Sequence, residues 1–252
     1  MAKTLADWLH TANQMLIFTG AGISTPSGIP AFRGTGGLWT TRQPVYYQDF
    51  MAHEASRVEY WEYKLEMWEK HGNAQPNSIH HAVAQLEKSG KVEMVVTQNV
   101  DGLHRSAGTS EDKLVEIHGT GSLVECQTCG HREPPGPSFE SFKQDRQPPH
   151  CGCGGWLKPA TISFGQSLRE ADLARAHAAA QTCDLVIALG STLSVSPANL
   201  IPLAATEGGT PYLILNRDET DHDTFPEVTL RLHGNVEDHF PPAVEAVLGS
   251  ST

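Results

Sequence analysis

Positive charge is scarce in this chain, with 18 Lys and Arg against 29 Asp and Glu for a net charge of −11. A nucleic-acid backbone is gripped through clustered Lys and Arg, so this balance argues against nucleic acid as the main partner while permitting a cationic peptide. Long apolar runs are missing too. The longest buried-looking one, "LVIAL" at 185–189, is far too short to cross a bilayer, and the opening "MAKTLADWLH" lacks a signal peptide's long apolar segment. A soluble, cytoplasmic protein with no membrane partner is expected. Cysteine is sparse, five in 252 residues, and in an intracellular chain it suits metal ligation or free thiols better than a disulfide framework. No internal repeat is visible, and only "EPPGP" and "RQPPH" approach low complexity.

What is present is a set of short Val-, Ile- and Leu-rich runs: "MLIF", "VEMVV", "LVIAL", "YLIL" and "VTLRL". Such runs read as buried parallel strands. Between them, Leu5, Trp8, Leu9 and Ala12, and likewise Ile79, Val83 and Leu86, are spaced to lay one apolar helix face on a sheet. Alternating strand and helix predicts a doubly wound α/β sheet. Two stretches break the alternation: 35–71, with helices packed by aromatics, and 121–158, rich in Cys, Pro and Gly. Both read as insertions forming a small domain beside a main domain of 1–34, 72–120 and 159–252.

The run "MLIF" leads into "GAGISTPSGIPAFRG" at 20–34. Gly20 and Gly22 suit close backbone approach to a phosphate, but the dehydrogenase fingerprint Gly-x-Gly-x-x-Gly fails at Thr25. The acidic strand end due about 20 residues later is missing as well. A hydride-transferring dehydrogenase is therefore disfavoured. Other strand ends are rich in polar groups. "VVTQNVDGLH" sets Gln98, Asn99 and Asp101 after one strand, and "LVEIHG" delivers His118, a candidate general base near neutral pH. "GSTLSVSPA" supplies Gly190, Ser191 and Thr192, and "LILN" ends in Asn216. One extended, hydroxyl-rich ligand such as a dinucleotide accounts for these strand ends together.

"CQTC" supplies Cys126 and Cys129, and "CGC" supplies Cys151 and Cys153 after 21 intervening residues. Two such knuckles predict a closed, structural zinc site. The second knuckle is short, which leaves His150 and His131 open as substitute ligands. Cys183 stands apart and reads as core.

In number and order these motifs, together with "ISFGQ", resemble the sirtuin family of NAD-dependent protein-lysine deacylases over nearly the whole chain. The resemblance implies an inverted Rossmann-like domain with a small zinc domain. Gly20, Ala21 and Gly22 would approach the NAD pyrophosphate, and Gly190, Ser191, Thr192 and Asn216 would hold the adenosine half. Phe32 and Arg33 would cover the nicotinamide ribose, Gln98 and Asn99 would contact it, and Asp101 would accept a hydrogen bond from the carboxamide. The implied chemistry has the acyl-lysine carbonyl oxygen displace nicotinamide and His118 deprotonate a ribose hydroxyl, with the acyl group passing to ADP-ribose. Phe164, Gly165 and Val195 would line the acyl-lysine channel and pair with the peptide as an added strand.

The chain departs from the family pattern at Ala31, where the family has Asp, at Gln166, where it has Glu, and in the shortened second knuckle. The altered loop motivates a glycohydrolase or mono-ADP-ribosyltransferase as an alternative, and a noncatalytic NAD-sensing module is a third reading. Family members specialised for acidic acyl chains carry Tyr-x-x-Arg in the helical insertion, where Trp61 and Lys64 stand at the matching places; both equally suit a surface helix, with the tryptophan packed inward and the lysine solvated. With no arginine there, acetyl or longer apolar acyl groups are expected over succinyl.

Overall fold

The computed structural model describes residues 3–34, 37 and 42–249, so residues 35, 36 and 38–41 of the predicted helical insertion lie outside it. Six strands form a sheet: β1 (Met15–Thr19), β2 (Val92–Thr97), β3 (Leu114–Glu116), β7 (Leu185–Leu189), β8 (Tyr212–Asn216) and β9 (Val228–His233). Their order is β3-β2-β1-β7-β8-β9, every pairing parallel. Each apolar run named from the sequence is one of these strands. The chain leaves β1 for β2 on one side and reaches β7 on the other, so a crevice opens beyond their carboxyl ends, where ligands bind in such sheets.

Alternate strand residues face opposite layers. Met15, Ile17, Leu185 and Ile187 pack with helices α1 (Leu5–Thr11), α4 (Ser78–Lys88) and α9 (Val236–Gly249). Leu16, Phe18, Val186 and Ala188 pack with α7 (Glu170–Thr182) and α8 (Leu200–Thr206) on the other face. The helix α1 begins where Thr4 and Asp7 cap each other reciprocally, and α4 where Asn77 and His80 do.

A second layer of structure stands over the crevice. Helices α2 (Tyr47–Ala52) and α3 (Glu54–His71) lie against a three-stranded antiparallel sheet, β4 (Gly119–Cys126), β5 (Arg132–Glu133) and β6 (Leu157–Thr161), flanked by α6 (Pro135–Asp145). They share a separate small core of Phe50, Tyr60, Trp61, Leu65, Val124, Phe139, Phe142 and Leu157. Trp61 is its centre, fully buried, edge-on to Phe139 at 5.3 Å, with its indole N–H donating to the Leu157 carbonyl. The remaining helix, α5 (Leu103–Ser106), follows the "TQNVDG" turn. No described helix is long and apolar enough to cross a membrane.

Candidate active site

The strand ends converge on a cavity of about 670 Å³. Its wall includes Gly20, Ala21, Gly22, Phe32, Arg33, Gln98, Asn99, His118, Phe164, Gly165, Gly190, Ser191, Thr192, Val195 and Asn216, so nearly every residue expected from the sequence meets here. Gly20 and Gly22 join the two halves of the sheet: their N–H groups donate to Leu189 and Gly190 carbonyls at 3.0 and 2.8 Å. A Cβ on either glycine would stand 2.8 Å from the Gly190 oxygen. The glycines thus keep the cradle shallow-walled by letting two backbones touch, leaving Ala21 between them on the cavity wall. The segment after β1 is a 3-10 helix, Ala21–Ser27, that contains Pro26 and ends at left-handed Gly28.

Behind this cradle runs a buried hydrogen-bond chain. Asn99 Nδ2 donates to the Gly20 carbonyl and to Ser24 Oγ, both at 3.2 Å, and the Asn99 N–H donates to Thr97 Oγ1. Thr97 also receives Thr19 Oγ1 at 2.8 Å, and Thr19 meets His104 Nε2 at 2.9 Å. Gln98 Nε2 reaches across β1 to Ser191 Oγ at 2.8 Å. Asp101 alone of the expected residues is not on the wall: its carboxylate accepts from Ser24 Oγ at 2.7 Å and from the Leu103 N–H at 2.9 Å. Burial, the largest influence, holds its carboxyl above the usual range despite those donors. Ser24 was visible within "GAGIS", but nothing in its spacing said that it would link Asn99 to Asp101.

His118 sits in the turn between β3 and β4, its Nδ1 3.2 Å from the Gln98 carbonyl. A carbonyl only accepts, so Nδ1 carries the proton and Nε2 keeps a basic lone pair. Burial first, then the nearby Arg33 charge, lowers the imidazole pKa, while the Gln98 bond opposes them. The ring is therefore neutral and basic at physiological pH. Arg33 lies over the Phe164 ring at 5.4 Å, and Ala31 lines the cavity beside them. Gln166 turns its amide oxygen to the Ser163 N–H at 3.1 Å, so its acceptor braces its own loop.

At the cavity's other end Lys64 reaches the wall and Trp61 packs inward. Trp61 is core and lines no part of the cavity, because α3 turns Tyr60, Tyr63 and Lys64 that way instead. Tyr60 Oη and Lys64 Nζ both meet Thr161 Oγ1, at 3.0 and 3.2 Å, and the buried Lys158 Nζ lies 3.4 Å from Tyr60 Oη. Burial alone would raise the phenol pKa, but Lys158 and Lys64 together bring it down to about 7.

The thiols of Cys126, Cys129, Cys151 and Cys153 all lie within 4.8 Å of one another. Two of the sulfur pairs are 3.5 and 3.8 Å apart, and a zinc tetrathiolate with bonds of about 2.3 Å has edges of about 3.8 Å. Cys126 Sγ also accepts the Thr128 and Cys129 N–H groups. The four cysteines are positioned to hold a structural metal ion. His150 lies tilted against Trp156 with ring centroids 3.8 Å apart and reaches the Gly154 carbonyl, while His131 pairs with Glu133.

Comparison with known proteins follows the same outline. The Sir2 family profile matches residues 20–197. An NAD-dependent protein deacetylase of Rhodopseudomonas palustris is 41% identical over 91% of this chain and 91% of its own length. One from Haloarcula marismortui is 38% identical over 96% and 92%. Among solved structures, a mutant Sir2 homologue in complex with ADP-ribose superposes with a TM-score of 0.89 at 31% identity, over 100% of this chain and 98% of that one. A mutant Sir2 bound to a deacetylated p53 peptide and 3′-O-acetyl ADP-ribose gives 0.84 at 30%, over 96% of both chains.

Proposed function

The chain belongs to the Sir2 family, and from that premise we propose that it is an NAD-dependent protein-lysine deacylase that releases nicotinamide and acyl-ADP-ribose. The observation that carries this reading is the meeting, in one cavity, of a neutral, basic His118 with the Gly20–Gly190 cradle and the amides of Gln98 and Asn99. A pure binding module needs no base there. The residues fit NAD: the cavity wall offers the hydroxyls of Ser191 and Thr192 and the amides of Gln98, Asn99 and Asn216 to an extended polar ligand.

When bound, NAD supplies an ADP-ribosyl group that serves as electrophile and acyl acceptor, with nicotinamide as leaving group. We assign Gly20, Ala21 and Gly22 to its pyrophosphate, Gly190, Ser191, Thr192 and Asn216 to its adenosine half, and Phe32 and Arg33 to the cover over the nicotinamide end. Gln98 and Asn99, on the cavity wall, would orient the ribose. His118 Nε2 removes a proton from a ribose hydroxyl, its ring fixed by the Gln98 carbonyl. Asp101, which stands off the cavity wall, contributes by holding Ser24 and the Leu103 N–H, and through Ser24 the Asn99 amide. Phe164, Gly165 and Val195 line the entry of the acyl-lysine and pair with the peptide backbone.

The small core around Trp61 supports dividing the chain into an NAD-binding domain, 1–34, 72–120 and 159–252, and a small domain, 35–71 and 121–158, with β6 crossing the last boundary. We place the enzyme in the cytoplasm, where the clustered thiols stay reduced, with an acyl-lysine protein or peptide as substrate and neither nucleic acid nor membrane as partner. Mass spectrometry after incubation with NAD and an acyl-lysine peptide library tests the reading. Acyl-ADP-ribose is the expected product. Free ADP-ribose with intact peptide would replace deacylation by glycohydrolysis, the alternative that Ala31 in the cavity wall motivates.

A further inference from the structure

Arg231 projects from the edge strand β9, opposite Ile214 of β8, and only 11% of its side chain is exposed. It stands behind the cavity wall. Its Nε donates to Asp223 Oδ1 at 2.7 Å, Nη1 to the Asn216 carbonyl at 2.9 Å and to the Leu232 carbonyl, and Nη2 to the Asp218 carbonyl at 2.7 Å. A planar guanidinium with its fork of donors is the side chain that can satisfy several carbonyls at once in fixed geometry. Asp223 is itself held by Thr220, so the anchor beneath the guanidinium is rigid.

The consequence reaches the wall through one atom. The Asp218 carbonyl also accepts from Asn216 Nδ2 at 2.8 Å. A carbonyl can meet only the NH₂ end of an amide, so this bond dictates which way the Asn216 amide faces. With its nitrogen turned to Asp218, the amide offers its oxygen as an acceptor. We propose that Arg231 is a positioning residue for the adenosine end of the cavity: it fixes the Asp218 carbonyl, which orients the Asn216 amide so that its oxygen receives a ligand hydroxyl. This rests on the NAD-binding reading above and adds a residue that the strand-end motifs do not contain.

Calorimetry with ADP-ribose and with an analogue lacking both adenosine ribose hydroxyls tests it. For Arg231→Lys, which keeps the charge and loses the fork, ADP-ribose should bind about tenfold more weakly while the analogue binds as it does to the wild type. KM for NAD should rise with kcat and KM for peptide unchanged. Asp223→Asn, which keeps the guanidinium but weakens its anchor, should show a smaller loss of the same selectivity, and it carries the test if the first variant does not fold. Equal weakening of both ligands, or unchanged ADP-ribose affinity in a folded variant, would overturn the proposal. A wild-type protein that binds no ADP-ribose would instead overturn the NAD-binding reading itself.

Discussion

The parallel sheet and the small antiparallel sheet both border the cavity, yet they are held together by different means. The parallel sheet is covered on both faces by helices, and its apolar strands alternate between two large cores. Its ligand-facing groups sit on turns after strands that are already rigid. The small sheet has one modest core centred on Trp61, and the knuckles beyond it hold exposed Cys129 and Cys153 with little apolar cover. Burial can hold the first region alone, whereas the second has little core to hold it, and its four convergent thiols are positioned to cross-link it through a metal.

The largest effect should come from removing that cross-link. Structural zinc sites contribute on the order of 10 kcal/mol of apparent binding free energy, so chelation should unfold the small sheet's knuckles while the parallel sheet survives. Hydrogen exchange should show protection lost around Cys126–Trp156 and retained in β1, β7 and β8. Metal analysis sharpens the ligand set: Cys151→Ser should lose zinc, and His150→Ala should keep it. Zinc loss in only the histidine variant would reverse the assignment.

Next in size, and confined to the parallel sheet's edge, His118→Ala should lower deacylation by about 10²–10⁴-fold with NAD affinity nearly intact. A variant that turns over normally moves the base elsewhere. Because the folded imidazole pKa is lowered, the acidic limb of kcat/KM should fall below pH 6.5. A limb above that value would contradict the buried, neutral ring.

A smaller effect concerns the stability of the parallel sheet in acid. His80 and His104 are buried with rings 5.1 Å apart, and burial lowers their pKa values to about 4 and about 3. The unfolded chain takes up protons near pH 6.5 that the folded one refuses, so the stabilisation is fully present above 6.5 and lost as pH falls towards 3. Denaturant midpoints measured from pH 7.5 to 4.5 should fall steadily, and His104→Asn should flatten the slope. A pH-independent wild-type midpoint would show that these imidazoles are not buried in solution.

The smallest effect lies where the two sheets meet, in the choice of acyl group. Lys64 is a point charge already engaged with Thr161, and Arg42, which lines the same cavity, is paired with Glu66 at 3.0 Å, so acetyl- or butyryl-lysine should exceed succinyl-lysine in kcat/KM by about tenfold or less. Succinyl as best substrate would assign Lys64, with Tyr60, to a carboxylate.

This comparison also sets how much was legible beforehand. Runs such as "LVIAL" and "YLIL" announce themselves, because a strand buried on both faces must be apolar throughout, and the residues after them inherit the site. The helix α3 does not announce its faces: "EYWEYKLEMWEK" carries aromatics all round, so periodicity could not say that Trp61 packs wholly into the core while Tyr63 and Lys64 face the cavity. Lys158, buried in β6, reads as surface from its type alone. Asp101 was found by position, but the direction of a loop side chain is decided by a partner, Ser24, 77 residues away.

The backbone contact between Gly20, Gly22 and Gly190 bears on what the chain tolerates in its own variation. None of the three has room for even one added carbon, since the atoms in the way are main chain that a rotamer change cannot move. Gly28, though left-handed, has open space around its Cβ position. In a saturation library selected for activity, positions 20, 22 and 190 should return almost nothing but glycine, and position 28 should admit asparagine at modest cost. The dinucleotide-like signature would then survive drift for a reason of architecture, the seam between two half-sheets, before any reason of ligand.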